Sequence, residues 1–297
     1  MELICNDCPR RCGARRTETK AGGVCRSPLL PRVIRAAPHY GEEPCISGSR
    51  GAGTVFFTGC SLHCVYCQNR EISRESVGRV LNVHELREVM LRLRDSGVHN
   101  IELVTPSHFT RVIAEALSGV ELGVPVVWNS SGYECAETLR MLDGLVQVYL
   151  PDLKYMNKET AKRYSAAPDY PERAKEALQE MFRQRGAYRM DEDGLLQSGV
   201  LIRHLILPGH TDESRDVIDW VAESFPPGSV LFSLMSQYTP MKEDARFPEL
   251  SGTVSREENE NLIHYLKVRH LTDGYWQETV SSGTENIPLF DGTGLDF

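Results

Sequence analysis

From Thr54 onward the chain alternates short apolar runs with amphipathic stretches, and this alternation restricts the possible fold more than any other feature. The apolar runs are Thr54–Phe57, Ile101–Thr105, Pro125–Asn129, Leu145–Tyr149, Val200–Leu207 and Val230–Met235. Each is short enough to be a buried strand, and the intervening stretches carry helical spacing. One such helix is expected over Val83–Asp95, closed by Gly97, and another over Asp212–Phe225, ending before Pro226-Pro227. Ser255 with Glu258 forms a capping box that opens a further helix towards Val268. Parallel strands joined by helices must be covered on both faces or curl into a barrel. Six such units predict an α/β fold: a partial, open (β/α)6 version of the TIM-type barrel. The stretch Tyr170–Ser198 is expected to be an inserted helix followed by an acidic turn, Asp191-Glu192-Asp193-Gly194.

The first fifty residues show no such period and are rich in Cys, Pro, Arg and Gly. The expected organisation is therefore a Cys-rich metal-binding segment over 1–50, the partial barrel over 51–245, and a C-terminal helix and closing segment over 246–297. No run of some 18 apolar residues suggests a membrane span, and Met1-Glu2-Leu3-Ile4-Cys5 has neither the basic start nor the apolar stretch of a secretory signal. A cytoplasmic location is expected. A net charge of −8 speaks against a surface built to grip phosphate backbones, so no nucleic-acid partner is expected. Nine cysteines, seven of them in two tight groups, are better explained in a reducing compartment by metal ligation than by disulfides.

The sharper group is Cys60-x3-Cys64-x2-Cys67, directly after the first strand. Three thiolates on a short loop can hold three irons of a cubane and leave the fourth without a protein ligand. A structural zinc site needs four closed ligands, and His63 lies inside the loop, where reaching the same ion would strain the chain. In βα barrels chemistry gathers where strands hand over to loops. Here those positions read Thr105-Pro106-Ser107-His108, Asn129-Ser130-Ser131, Asp152-Leu153-Lys154, Pro208-Gly209-His210 and Gln237-Tyr238. Asp152 and Lys154, two residues apart at a strand end, share a face and suit an α-amino acid group.

The triad, with Tyr66 just before its last cysteine, resembles the motif of the radical S-adenosylmethionine (SAM) superfamily, and the likeness covers most of the chain. Tyr149–Asn157 and Leu201–Asp212 are similar to segments of pyruvate formate-lyase activating enzymes. His39-Tyr40-Gly41-Glu42-Glu43-Pro44, with Cys45-Ile46-Ser47-Gly48 and Cys67-Gln68-Asn69, resembles the branch labelled as homologues of those activators. The resemblance implies a [4Fe-4S] cluster on Cys60, Cys64 and Cys67 that cleaves SAM to a 5′-deoxyadenosyl radical, which abstracts hydrogen from a substrate. It also implies a flavodoxin or ferredoxin as electron donor, since sulfonium cleavage needs a potential near the low end of about −700 mV. A glycyl radical enzyme is one substrate it suggests; a small molecule or peptide is the alternative, and a non-enzymatic zinc or iron–sulfur module the reading from another class. By position in the matched motifs, Tyr66 would lie near the adenine, and Asn129, Asp152, Lys154 and His204 would contact SAM or substrate, with Lys154 and His204 the candidates for catalysis. The Gly-Gly-Glu that often follows the second strand is replaced here by Leu103-Val104-Thr105-Pro106-Ser107-His108, so Thr105 and Ser107 are the expected partners of the SAM amine.

The second group, Cys5-x2-Cys8-x3-Cys12-x12-Cys25, supplies four thiols that suit either a tetrahedral zinc ion or a second [4Fe-4S] cluster. Gly48-Ser49-Arg50-Gly51-Ala52-Gly53 is not a phosphate loop, because it lacks the Gly-Lys-Ser/Thr ending and precedes a strand.

Overall fold

The computed structural model describes residues 2–241, 244–277 and 287–296. A hairpin of β1 (Glu2–Cys5) and β2 (Ala14–Thr17) comes first, with Cys5 opposite Ala14. Then follow β3 (Arg32–His39), the short helix α1 (Pro44–Ser47) and β4 (Ala52–Phe57). Next are α2 (Arg70–Arg74), β5 (Arg79–Val80), α3 (Val83–Asp95), β6 (Ile101–Val104), α4 (Thr110–Ser118) and β7 (Val126–Ser130). The chain continues with α5 (Ala136–Leu139), β8 (Val148–Pro151), α6 (Lys158–Ser165), α7 (Tyr170–Arg185) and β9 (Arg189–Met190). It closes with β10 (Leu196–Leu205), α8 (Thr211–Ser224), β11 (Leu231–Met235), α9 (Arg256–Val268) and β12 (Gly274–Trp276).

One ten-stranded sheet runs β12-β11-β10-β8-β7-β6-β4-β3-β5, with β9 attached to β10. From β4 to β12 every neighbour in this order is parallel, while β3 and β5 are antiparallel at the other edge. The six expected strands all form, the fourth displaced to Val148–Pro151, and the fold is α/β with a parallel sheet. Among the described residues the two edges do not pair, so the sheet stays open. The short strand β12 adds a seventh parallel member, and β3 places residues 32–39 in the main sheet. The separate Cys-rich portion is thus confined to the residues before Arg32.

The two faces separate by the period of two that strands impose. Val55, Leu103, Trp128, Tyr149, Ile202 and Phe232 point outward into the large core with Leu86, Val89, Met90 and Leu93 of α3. Those four recur at helical spacing, and α3 starts at a capping box in which Asn82 accepts from the Glu85 amide. Val127, Val148, Leu150, Leu201 and Leu231 point inward, where Cys45 and Ile46 of α1 cover them as a second buried cluster. Cys45 and Ile46 are 2% and 0% exposed, so α1 is an apolar plug under the inner face. One pleat further along each strand the inner positions turn polar: Asn129 after Val127, Asp152 after Leu150, Arg203 after Leu201 and Ser233 after Leu231. The hydrophobic layer therefore ends just below a polar cavity.

Candidate active site

That cavity, about 510 Å³, opens at the C-terminal ends of the parallel strands. Cys60, Cys64 and Cys67 line one wall, on the loop that leaves β4. Backbone carbonyls of this loop are held from behind by two arginines. Arg10 donates from Nε to the Ser61 carbonyl at 2.8 Å and from a terminal nitrogen to the Leu62 carbonyl at 3.3 Å, and it also reaches the Ser165 carbonyl at 2.7 Å. Arg74 donates to the His63 carbonyl at 3.0 Å and the Cys64 carbonyl at 3.3 Å. The Leu62 amide donates to the Cys60 sulfur at 3.3 Å.

Whether these residues suit a cluster can be judged from the thiols themselves. Burial, and then the charge of Cys64, push the Cys60 thiol up; burial with Cys64 and Cys60 takes Cys67 to about 12. Three thiols, Cys64 buried and Cys60 and Cys67 partly so, that would repel one another as thiolates need a cation to balance them. Among the described residues no three His, Cys, Asp or Glu meet at the spacing of one metal ion. Three cysteines on one short loop match the donor set of a cubane with one open iron, whereas a structural zinc site needs four closed ligands.

The predicted ligand contacts divide cleanly. Tyr66, Thr105, Asn129, Asp152 and Lys154 all line the cavity. Tyr66 sits edge-on among Tyr155, Tyr164 and Tyr238, with ring centres 6.4, 6.3 and 6.2 Å away. Thr105 is in the left-handed region, φ +59, where the chain leaves β6. Lys154 donates to Asp152 at 2.6 Å; burial opposes its charge, but Asp152 and Cys64 outweigh burial and raise it. Ser107 and His204 do not line this cavity. Ser107 bonds to buried Glu134. The His204 ring lies on the outer face of β10, between the Leu153 carbonyl at 2.7 Å and Ser214 Oγ at 2.9 Å, and burial lowers it to about 4, so it is neutral. His108 is likewise buried, on the Thr58 carbonyl at 2.9 Å, and His210 bonds the Tyr164 hydroxyl at 2.8 Å. Neither reaches the cavity.

On the inner face beside His204 stands Arg203, which the sequence reading passed over. Its guanidinium spans Glu42 and Glu43 on the segment before α1, with Nε on Glu43 at 2.9 Å and a terminal nitrogen on both carboxylates. Burial drives Glu43 up, but Arg203 overrides it and holds the carboxyl below the ordinary range. Behind them Glu102, fully buried, accepts from Asn129 Nδ2 at 2.7 Å through one oxygen, and its other oxygen has no partner among the described residues. Burial, then Glu42, raise Glu102 well above the usual carboxylate range, so it carries a proton. The floor is thus Glu42, Arg203 and Glu43, with a neutral Glu102 behind it. Glu42 and Glu43 belong to His39–Pro44, where the only sequence signal is the resemblance of the motif as a whole.

Comparison with known proteins agrees with this geometry. The Radical SAM superfamily profile matches residues 54–221. An uncharacterized protein of Methanocaldococcus jannaschii is 29% identical over 277 residues, covering 90% of this chain and 75% of its own. The fold resembles that of Streptococcus suis SuiB bound to S-adenosylmethionine, with TM-score 0.51, 12% identity and 73% of this chain covered; this chain spans about half of SuiB, 48%. It also resembles a cysteine-to-serine mutant of spore photoproduct lyase, with TM-score 0.51 and 12% identity, covering 82% of this chain and 79% of that one. With a profile that spans more than half its length and a cysteine triad at the mouth of an open parallel sheet, the chain belongs to the radical SAM superfamily.

Proposed function

We propose that the protein cleaves S-adenosylmethionine reductively in this cavity and uses the product to take hydrogen from a small, charged molecule or peptide end held on the Glu42–Arg203–Glu43 floor. Superfamily membership implies the [4Fe-4S] cluster and SAM. When bound, that cluster supplies one electron, drawn from a flavodoxin or ferredoxin, to split the sulfonium. Cys60, Cys64 and Cys67 would hold it. Arg10 and Arg74 fix the loop from outside the cavity, so the three sulfurs keep their spacing whether or not SAM is present. Asp152 and Lys154 form an ion pair that a zwitterionic methionine group can open, its amine taking Asp152 and its carboxylate Lys154. Thr105 and Asn129 stand on neighbouring strands of the same rim, and Tyr66 offers an aromatic face to the adenine. Such chemistry suits a reducing compartment, which the cytoplasm provides.

The observation that carries the substrate reading is the charged floor. A glycine in a protein loop, the substrate of a glycyl-radical activator, brings only backbone groups and would leave a buried Arg and two carboxylates unused. A ligand with its own ammonium or carboxylate would engage them. The activase reading rests on the sequence resemblance alone. The test is anaerobic: reduced protein with SAM should release 5′-deoxyadenosine and methionine, and Cys64→Ala should abolish that release while far-UV circular dichroism stays unchanged. Release that survives Cys64→Ala would overturn the cluster assignment. Deuterium passing from a labelled metabolite into 5′-deoxyadenosine supports the small-molecule reading; a glycyl radical signal on a large co-purified protein replaces it.

A further inference from the structure

The four cysteines before Arg32 play no part in the reading above, yet the fold gathers them. The β1–β2 hairpin turns back on Arg11 and Gly13, both with positive φ, so that Cys8 and Cys12 return over Cys5 at the end of β1. A second turn, in which Gly22 pairs with Ser27, carries Cys25 to the same place. All four line one small hollow together with Arg16 and His108. Gly23 is needed there, because a Cβ at that position would lie 2.9 Å from the Cys12 sulfur. All four thiols are free of disulfides.

Arg16 is the second and independent sign of a ligand. It is 2% exposed, and its guanidinium is always charged. Its hydrogen bonds go to the carbonyls of Pro28 and His108 and, at 3.3 Å, to the Cys5 sulfur; among the described residues it has no carboxylate partner. Asp7, the carboxylate in the same hollow, is taken by Arg111 at 2.8 Å, which leaves Arg16 without an ion-pair partner of its own, a costly state for a buried cation. A thiolate cluster with net negative charge beside Cys5 would supply the missing charge. Zinc would require the four sulfurs to converge at about 2.3 Å from one point. The order C-x2-C-x3-C-x12-C also departs from the paired C-x2-C…C-x2-C spacing of common zinc ribbons.

The hollow also backs directly onto the catalytic loop. Ser27 Oγ donates to the Cys25 carbonyl at 3.0 Å and to the Thr58 carbonyl at 3.5 Å, and the His108 ring meets the same Thr58 oxygen. Gly59, φ +83, packs so closely here that a Cβ would sit 2.4 Å from the Cys25 carbonyl oxygen. Arg10, between Cys8 and Cys12 in sequence, is the residue that clamps Ser61 and Leu62.

We propose that Cys5, Cys8, Cys12 and Cys25 bind a second, all-cysteine [4Fe-4S] cluster, charge-matched by Arg16, that stiffens the Cys60–Cys67 loop from behind. This goes beyond the SAM reading and can fail without it. The test uses the full chain with Cys60, Cys64 and Cys67 all changed to Ala, purified without oxygen. It should remain brown, hold about four iron and four sulfide per chain, and give a cluster signal in electron paramagnetic resonance after reduction. Adding Cys8→Ser and Cys12→Ser should remove iron, sulfide and signal together. One zinc per chain in place of iron, no metal at all, or iron that survives the two serine changes would each overturn it. If the triple variant does not fold, the comparison moves to the otherwise unaltered protein, where Cys8→Ser with Cys12→Ser should lower iron from about eight to at most about four per chain. An unchanged iron count there overturns the proposal equally.

Discussion

Replacing Arg203 with Met should destabilise the protein in a way whose pH dependence identifies the cause. The Arg203 side chain is 11% exposed, and its partners Glu42 and Glu43 are 11% and 8% exposed, so the variant leaves two carboxylates buried without a cation. Breaking a buried pair by removing one partner costs about 3–5 kcal/mol. For a chain of this size that is a fall in Tm on the order of 6–15 °C near neutral pH. The sign with pH follows from Glu43. In the native protein burial pushes its carboxyl up, but Arg203 holds it below the ordinary range. Its contribution is therefore present above the unfolded carboxylate pKa and is lost as pH falls through the lower folded value. In the variant burial is opposed only by the Ser233 hydroxyl and a backbone hydrogen bond, so the folded pKa rises and protonation on acidification relieves the cost. The difference in Tm between native and variant holoproteins, followed by circular dichroism, should accordingly shrink from about pH 8 to about pH 6. A difference below about 2 °C, or one that does not vary with pH, would refute the reasoning, since it would mean that water reaches the floor and screens it.

Asp152→Asn removes the partner of Lys154 and should weaken SAM binding on the order of tenfold in equilibrium dialysis of the clustered protein, about 1.4 kcal/mol; unchanged affinity would show that the pair does not touch the ligand. His204→Gln should cost about 1–3 kcal/mol through its two buried hydrogen bonds. Its release of 5′-deoxyadenosine per cluster should stay within about twofold of native, or about 0.4 kcal/mol. Because His204 is held neutral down to about 4, folding loses stability as pH falls below the unfolded value of about 6.5, and the glutamine variant should lose less. A tenfold drop in release would return His204 to the cavity.

The parts of the fold legible in the sequence are those where a period runs long enough to be read. α3 forms over Val83–Asp95 as expected, because Leu86, Val89, Met90 and Leu93 repeat at helical spacing and Gly97 follows. The box of Ser255 with Glu258 opens α9 for the same reason. β12 was not legible, since three half-exposed residues, Gly274, Tyr275 and Trp276, make no apolar run. β3 escaped because Pro38 and two arginines interrupt its pattern. β5 pairs only with its first two residues, so Pro38 falls where β3 is an edge and an amide is dispensable. The triad and its rim could be found from spacing and strand ends. The floor could not, because it depends on which of two adjacent residues faces inward. His204 carries more obvious chemistry than Arg203, but the pleat turns Arg203 to the cavity and His204 to α8. Glu102 gave no sign either, being one acidic residue inside a strand whose partner Asn129 is 27 positions away.

The plug formed by α1 has a kinetic consequence. With Cys45 and Ile46 closing the base against Val127, Leu150 and Leu201, traffic into the cavity has to use the rim. Arg203 is the register partner of Asp152 on the neighbouring strand, so a molecule seated on the floor lies beside one bound at Asp152 and Lys154 and shares its way out. Steady-state turnover should therefore show inhibition by methionine and 5′-deoxyadenosine together, because either one lingering at the shared entrance delays the departure of a finished product.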